Sequence, residues 1–414
     1  MSSRSVPGYS FAAPFQIPAP SPIRSLAPYA NRPGTISMAG GYPATELFDV
    51  EGLNAVAAKV GARLAGCLQY SNIEGQAGLR AQLARLSAER GISCDPDTEL
   101  AVTGGSQQSL ALLGRVMLEP GDTAIIESPG FPNSRQALHY TGATVHTVPS
   151  GPDGVDVDAL AVLVEQVRPK LVSVVATFSN PCGATLDLER RRRLIELAAR
   201  HRFLLVEDDP YSELRFEGEP IPPLLALAEG EQRDWVVYIA SMSKTMAPAL
   251  RIGWLIAPAE IRRRCISAKA ADDMASSAWI QEIVAQYLED GRYREHVPRI
   301  RAAYAARANA LARALTEEMG DLVSFRKPQG GMFCWARLNG DIDSTRLLPH
   351  AIEHEVVYVP GKAFYSDPAQ ADAHAMRLSF ATMNEAQIRT GIVRLRQALE
   401  ACAAGTPTTV TLAA

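Results

Sequence analysis

Between Ala77 and Ala240 the chain alternates short apolar runs with helix-patterned stretches, and this alternation restricts the fold more than any other feature. Leu100-Ala101-Val102, Thr123-Ala124-Ile125-Ile126, Leu171-Val172-Ser173-Val174-Val175, Phe203-Leu204-Leu205-Val206 and Val236-Val237-Tyr238-Ile239-Ala240 are apolar or β-rich over strand-like lengths. Ala77 to Arg90 carries helical spacing through Leu79, Leu83 and Leu86 and stops at Gly91, while Gln107 to Met117 and Leu188 to His201 separate successive runs. Strands apolar on both faces must be covered on both, so the pattern predicts an α/β fold with a mainly parallel sheet covered by helices. In such sheets ligands collect at the carboxyl ends of the strands.

The pattern changes after Ile280. A long helical stretch to Leu315, broken near Pro298, leads into the β-like runs Gly331 to Trp335, Val356 to Val359 and Met376 to Phe380, which predict a smaller α+β domain. Residues 1–45 contain Pro14, Pro18, Pro20, Pro22, Pro33 and the pair Gly40-Gly41, and read as an extended arm packed on that smaller domain. The expected division is the arm, a large domain over 46–290, a small one over 291–404 and a loose tail over 405–414, with the site between the two domains.

Composition narrows the partners. The 41 Lys+Arg against 45 Asp+Glu leave a formal net charge of −4, which argues against an electrostatic nucleic-acid binder. The basic runs Arg190 to Arg193 and Arg262 to Arg264 lie in helix-patterned segments and read as solvated faces. Six cysteines are dispersed, with no Cys-x-x-Cys pair and no zinc-like spacing with histidine, so a reduced cytoplasmic protein without a metal is expected. Met1 to Gly8 lacks an apolar leader, and no run approaches the roughly 20 apolar residues of a membrane span.

Several strand ends carry chemistry. Thr103-Gly104-Gly105-Ser106-Gln107 opens a helix after a strand, where free N–H groups favour an anion and glycines permit close approach; a tight βα turn uses the same residues. Val206-Glu207-Asp208-Asp209-Pro210-Tyr211 ends another strand, as a turn or as a source of a functional carboxylate. Asn180-Pro181-Cys182-Gly183 follows a third, and Phe131 is either core or a stacking ring. After Ala240 comes Ser241-Met242-Ser243-Lys244, with Arg251 and Gly253 downstream. Lys244 alone reads first as a surface lysine in a Ser-rich turn, yet a lysine amine at a strand end can also form a Schiff base with a carbonyl. Arg377 lies in an otherwise apolar run and needs an anion, from a structural partner or from a substrate carboxylate.

In their order these motifs resemble the fold type I pyridoxal-phosphate enzymes of the aspartate aminotransferase superfamily, class I/II, most closely the subgroup of 2-aminoadipate and kynurenine aminotransferases. The resemblance runs from Ser21 to Leu399 through Ser21-Pro22-Ile23-Arg24, Ala39-Gly40-Gly41, Gln69-Tyr70, Gly75, Leu79-Arg80, Gly105-Ser106-Gln107, Asn180-Pro181-x-Gly183, Asp208-Asp209-Pro210-Tyr211, Ser241-x-Ser243-Lys244, Arg251-x-Gly253, Gly330-Gly331-Met332-Phe333 and Arg377-Leu378-Ser379-Phe380. It implies pyridoxal 5'-phosphate carried on Lys244, which also moves the catalytic proton. Gly105, Ser106, Gln107, Ser241, Ser243 and Arg251 are implied to hold the phosphate, with Tyr70 reaching in from the second subunit of a homodimer. Phe131 is implied to stack on the ring, Asn180 and Tyr211 to bond its 3'-oxygen, and Asp208 rather than Asp209 its nitrogen. Arg377 is implied to take the substrate α-carboxylate, assisted by Asn180 and by backbone at Gly40. Arg24 matches a position that meets a side-chain carboxylate in some relatives, and equally suits a salt bridge anchoring the arm.

Departures cluster on the substrate side: Cys182 where Thr or Ser is usual, Ser179 where Gln is frequent, and Tyr42 where Leu or Ile is common. The resemblance thus implies an aminotransferase acting on an α-amino acid and a 2-oxo acid, with the amino acid undetermined. A second reading keeps the cofactor and changes the outcome to elimination, replacement, cyclisation or oxidation. A third is a non-catalytic ligand-sensing domain like the aminotransferase-like half of some transcription regulators, against which stands a Pro-rich arm where those have a DNA-binding domain.

Overall fold

The computed structural model describes residues 9–15 and 21–410. The expectations resting on Met1 to Gly8, on Pro18 and Pro20 and on the last four residues lie outside them.

The described strands are β1 (Ile36–Ser37), β2 (Leu100–Thr103), β3 (Thr123–Ser128), β4 (Thr144–Gly151), β5 (Gly154–Val155), β6 (Leu171–Val174), β7 (Leu204–Asp209), β8 (Val236–Ser241), β9 (Gly253–Ile256), β10 (Val323–Phe325), β11 (Phe333–Leu338), β12 (Val356–Val357), β13 (Val359–Pro360) and β14 (Ala375–Ser379). Eight of them form one sheet in the order β2-β9-β8-β7-β6-β3-β4-β5. Neighbours from β8 through β7, β6 and β3 to β4 are parallel, and β9 runs antiparallel to both β8 and β2. The central runs are fully buried, as in β6 and β8, because helices cover both faces. The strand order is not sequential, so β2, β3, β6, β7 and β8 bring distant segments to one edge with their carboxyl ends together.

A four-stranded antiparallel sheet, β10-β11-β14-β13, forms over 323–379 around a core of its own that includes Tyr304, Leu347, Tyr358 and Phe380. The arm joins this part of the molecule, since β1 pairs in parallel with β12 and Met38 is buried in the same core. Farther up the arm, Phe15 stacks on Tyr140, with ring centroids 4.3 Å apart.

Two expectations need adjusting. Pro298 does not break the long helix but lies inside Arg292–Ala314, which packs through buried Val297, Ile300 and Tyr304; the interruption falls instead at Gly291, whose φ of 76° ends helical geometry. The described part of the tail, through Val410, is less loose than composition suggested. Thr409 donates from its N–H and hydroxyl to Glu353, at 2.5 and 2.9 Å, and Val410 packs against the core.

Candidate active site

At the carboxyl edge of the large sheet, a cavity of about 350 Å³ gathers side chains from segments far apart in the chain. Gly105, Ser106, Gln107, Phe131, Asn180, Asp208, Tyr211, Ser241, Ser243, Lys244, Arg251 and Arg377 all line it, as do Arg24 and Tyr42 at its mouth. Gly41 takes part where Gly40 was expected. Tyr70 does not enter the cavity of its own chain: it is 77% exposed.

The anion cradle follows from backbone geometry. Gly105 caps helix Ser106–Met117 at φ 110°, and a Cβ there would stand 2.8 Å from Nη2 of Arg251. At Gly253 a Cβ would stand 2.5 Å from Cα of Gly105, so glycines are required where these two turns meet. The N–H groups of Ser106 and Gln107 open the helix and find no acceptor among the described residues, leaving the positive end of the helix for an anion. Beside them, Ser241 donates to the hydroxyl of Ser243 at 2.9 Å, and the Arg251 guanidinium is steadied by the carbonyls of Gly104 and Pro248.

Lys244 sits in the turn after β8, where its Nζ donates to the carbonyl of Gly41 at 2.8 Å. Burial, with Arg377 and Arg251 nearby, lowers its pKa from 10.5 to about 8, so a neutral amine exists near physiological pH. No carboxylate pairs with it in the described residues.

β7 separates two adjacent carboxylates by strand alternation. Asp209 turns away from the cavity and is tied to Arg90, to the Tyr238 hydroxyl at 3.1 Å and to the N–H of Ser212 at 3.1 Å, which hold it below the usual carboxylate range against the cost of its burial. Asp208 faces the cavity, where burial pushes it from 3.8 to about 7 despite a hydrogen bond from Ser106. Its Oδ1 is buried without a hydrogen-bond partner among the described residues. A buried acceptor so placed fits a cationic N–H of a bound ring. Orphaned oxygen, anion cradle and low-pKa lysine are together the donor set that pyridoxal phosphate needs.

Arg377 is 1% exposed on β14, at the wall contributed by the smaller sheet. It donates to Oδ1 of Asn180 at 2.8 Å and to the carbonyl of Ala39, while its Nε has no partner among the described residues. Its charge lies over the rings of Phe333 at 4.3 Å and Phe364 at 4.9 Å. No carboxylate among the described residues neutralises it, and burial lowers its pKa from 12.5 to about 10. Tyr211 is buried against Phe333 in an edge-to-face pair at 5.8 Å and is hydrogen-bonded to Asn180; burial raises its phenol. Sequence reasoning gave no role to the two rings around Arg377. Phe333 stands in the quoted Gly330-Gly331-Met332-Phe333 motif, whereas nothing local marks Phe364. Arg24, for which an anchoring salt bridge was one reading, has no ion pair among the described residues.

Comparison with known proteins agrees with this constellation. The family described as aminotransferase class I and II matches residues 54–395. The aromatic-amino-acid aminotransferase 1 of Thermococcus litoralis is 38% identical over 92% of this chain and 91% of its own. The crystal structure of the Pyrococcus horikoshii kynurenine aminotransferase, in complex with PMP, KYN as substrate and KYA as product, superposes with a TM-score of 0.88 at 35% identity, covering 94% of this chain and 96% of that one. The α-aminoadipate aminotransferase LysN of Thermus thermophilus, complexed with N-(5'-phosphopyridoxyl)-L-leucine, superposes at 0.87 with 33% identity, covering 96% and 98%.

Proposed function

The chain belongs to the class I and II aminotransferases, enzymes that transfer amino groups with pyridoxal 5'-phosphate, and from that premise we propose which of its residues perform the transfer. The observation that carries the assignment is a single cavity holding Lys244, the unpartnered buried Oδ1 of Asp208 and the uncompensated guanidinium of Arg377. When bound, the cofactor supplies an electron sink that makes the α-proton of an amino acid removable.

Lys244 anchors the cofactor, and its amine takes the proton from the substrate Cα and returns it to the other side of the transfer. A pKa of about 8 suits both directions, since the amine can gain and lose a proton near neutral pH. Asp208 keeps the ring nitrogen protonated, and recovers its own charge from that contact. Ser106, Gln107, Ser241, Ser243 and Arg251 hold the phosphate in the Gly105 cradle, Phe131 stacks on the ring, and Asn180 with Tyr211 holds the 3'-oxygen. Arg377 receives the α-carboxylate through a fork, with Nε free to complete it and Asn180 and the backbone at Gly41, rather than Gly40, assisting. Arg24 and Tyr42, at the mouth, face the side chain of the substrate.

We take 46–290 as the cofactor-holding domain and 291–404 as the smaller one that brings Arg377 to it, with the Ile36 to Met38 part of the arm and the described tail packed on the latter and Phe15 reaching Tyr140 of the former. The working unit is a homodimer in the cytoplasm. Exposed Leu68, Tyr70, Met274 and Trp279, at 42 to 77%, flank the start of helix Ala278–Glu289 and give a second copy an apolar surface that would carry Tyr70 to its phosphate. No helix of the described residues is long and apolar enough to cross a membrane.

The test is to incubate the yellow protein with a panel of amino acids, following its spectrum and identifying the products. Conversion to the pyridoxamine form with release of a 2-oxo acid is expected. Ammonia release without pyridoxamine formation would support an elimination outcome instead.

A further inference from the structure

The active-site cavity continues outward. A second cavity of about 650 Å³ shares Ser21, Arg24, Gln107, Phe131 and Asn133 with it and is otherwise walled by helix Pro132–His139, Phe364 to Ser366 and Pro14 of the arm. Its charged lining is one-sided. Arg24 and Arg135 are exposed to it, and neither has an ion pair or side-chain hydrogen bond among the described residues; the histidine His139 is close by. Among the described residues the one carboxylate lining it, Glu127, is buried and pinned by the N–H of Val175 at 2.8 Å and the hydroxyl of Ser150 at 3.4 Å, with burial raising its pKa to about 7. In a chain of net charge −4, two uncompensated guanidinium groups in one concavity concentrate a positive potential there.

We propose that the outer cavity holds the far end of a long amino-acid substrate bearing a terminal anion, carboxylate or phosphate, and that Arg135 is a specificity-determining residue for it. The inference rests on Arg377 and Lys244 fixing the α-carbon, since only then does a side chain run outward past Arg24. The rest of the lining agrees with an extended chain: Phe131, which both cavities share, and Phe364, Tyr365 and Ala137 offer apolar or aromatic walls to the cavity that Arg135 lines. Arg135 lies on the helix that Phe131 caps, so the element that positions the stacking ring also positions the distal guanidinium.

The experiment compares kcat/KM of the holoenzyme for 2-aminopimelate, 2-amino-5-phosphonopentanoate and the uncharged 2-aminoheptanoate. The wild type is expected to prefer an anionic substrate over 2-aminoheptanoate, and the faster of the two anions identifies the terminal group. Arg135→Ala should lower that preference about tenfold, the scale of one charged hydrogen bond discounted for exposure. Arg135→Glu should invert it. A wild type that favours 2-aminoheptanoate, or a preference unchanged in both variants, overturns the proposal. If no amino acid converts the wild-type cofactor to its pyridoxamine form, the Lys244 and Arg377 reading falls first and takes this inference with it. Turnover of 2-aminoheptanoate by each variant shows that it has folded and holds cofactor.

Discussion

Replacing Asp208 with Asn should have opposite effects on the cofactor-free chain and on the loaded enzyme. In the chain alone, burial raises the Asp208 carboxyl from 3.8 to about 7, and its Oδ1 has no partner. The folded state therefore binds more protons than the unfolded state between those two values, so this group's contribution to stability falls as pH rises through that window. Above pH 7 the full cost of the buried charge is felt, at most about 4 kcal/mol for a rise of about three pH units at about 1.36 kcal/mol each. The asparagine variant, stripped of cofactor, should then match the wild type near pH 4 and be more stable at pH 8. Urea unfolding of both stripped proteins at the two pH values measures the difference. With cofactor bound the sign reverses, because the ring nitrogen loses its charged partner, and kcat should fall by about two orders of magnitude or more. Asp209→Asn is the control. That carboxylate is the nearest partner of Arg90, so its removal leaves a largely buried guanidinium with only the longer ion pair to Glu213 at 3.8 Å and should destabilise the chain with or without cofactor, by roughly 2–3 kcal/mol. A stability gap for Asp208→Asn that is the same at pH 4 and pH 8 would refute the assignment of Asp208 as an unpaired buried acid.

Two further outcomes follow from the same geometry. Arg377→Lys should lower kcat/KM about a hundredfold for every amino acid, because a point-charge ammonium cannot offer the planar fork, and an unchanged value would make Arg377 structural. For Lys244, with its pKa lowered from 10.5 to about 8, recombination of the stripped protein with cofactor should accelerate with pH only to about 8 and then level off. A rate still climbing at pH 10 would mean an ordinary lysine, and Lys244→Ala should abolish covalent retention of cofactor after borohydride treatment.

Much of this site is legible in the chain because its parts are local. The Gly104-Gly105-Ser106 turn, the Ser241-x-Ser243-Lys244 turn and the Asn180-Pro181 segment each follow an apolar run, and a short run between helices can hardly be other than a strand of a covered sheet. Once those runs are strands, their ends fall on one edge, and the residues there need only be the right types. By contrast, Pro298 misled because a proline in the early part of a helix is judged by local propensity, while packing of Val297, Ile300 and Tyr304 settles whether the helix continues.

What the sequence determined, then, is the α/β architecture and the chemical set at the strand ends, since periodicity and turn chemistry act over a few residues. The motif already favoured Asp208 over Asp209, and tertiary structure supplied the physical reason: Asp209 meets Arg90 across 119 positions, while Asp208 faces the cavity. Tertiary structure alone placed Phe333 and Phe364 around Arg377 and hung that arginine on Ala39, 338 residues away, and it opened the outer cavity where Arg135 has no partner among the described residues. Such pairings depend on which surfaces meet when two sheets and an arm pack together, and no spacing within a single segment encodes them.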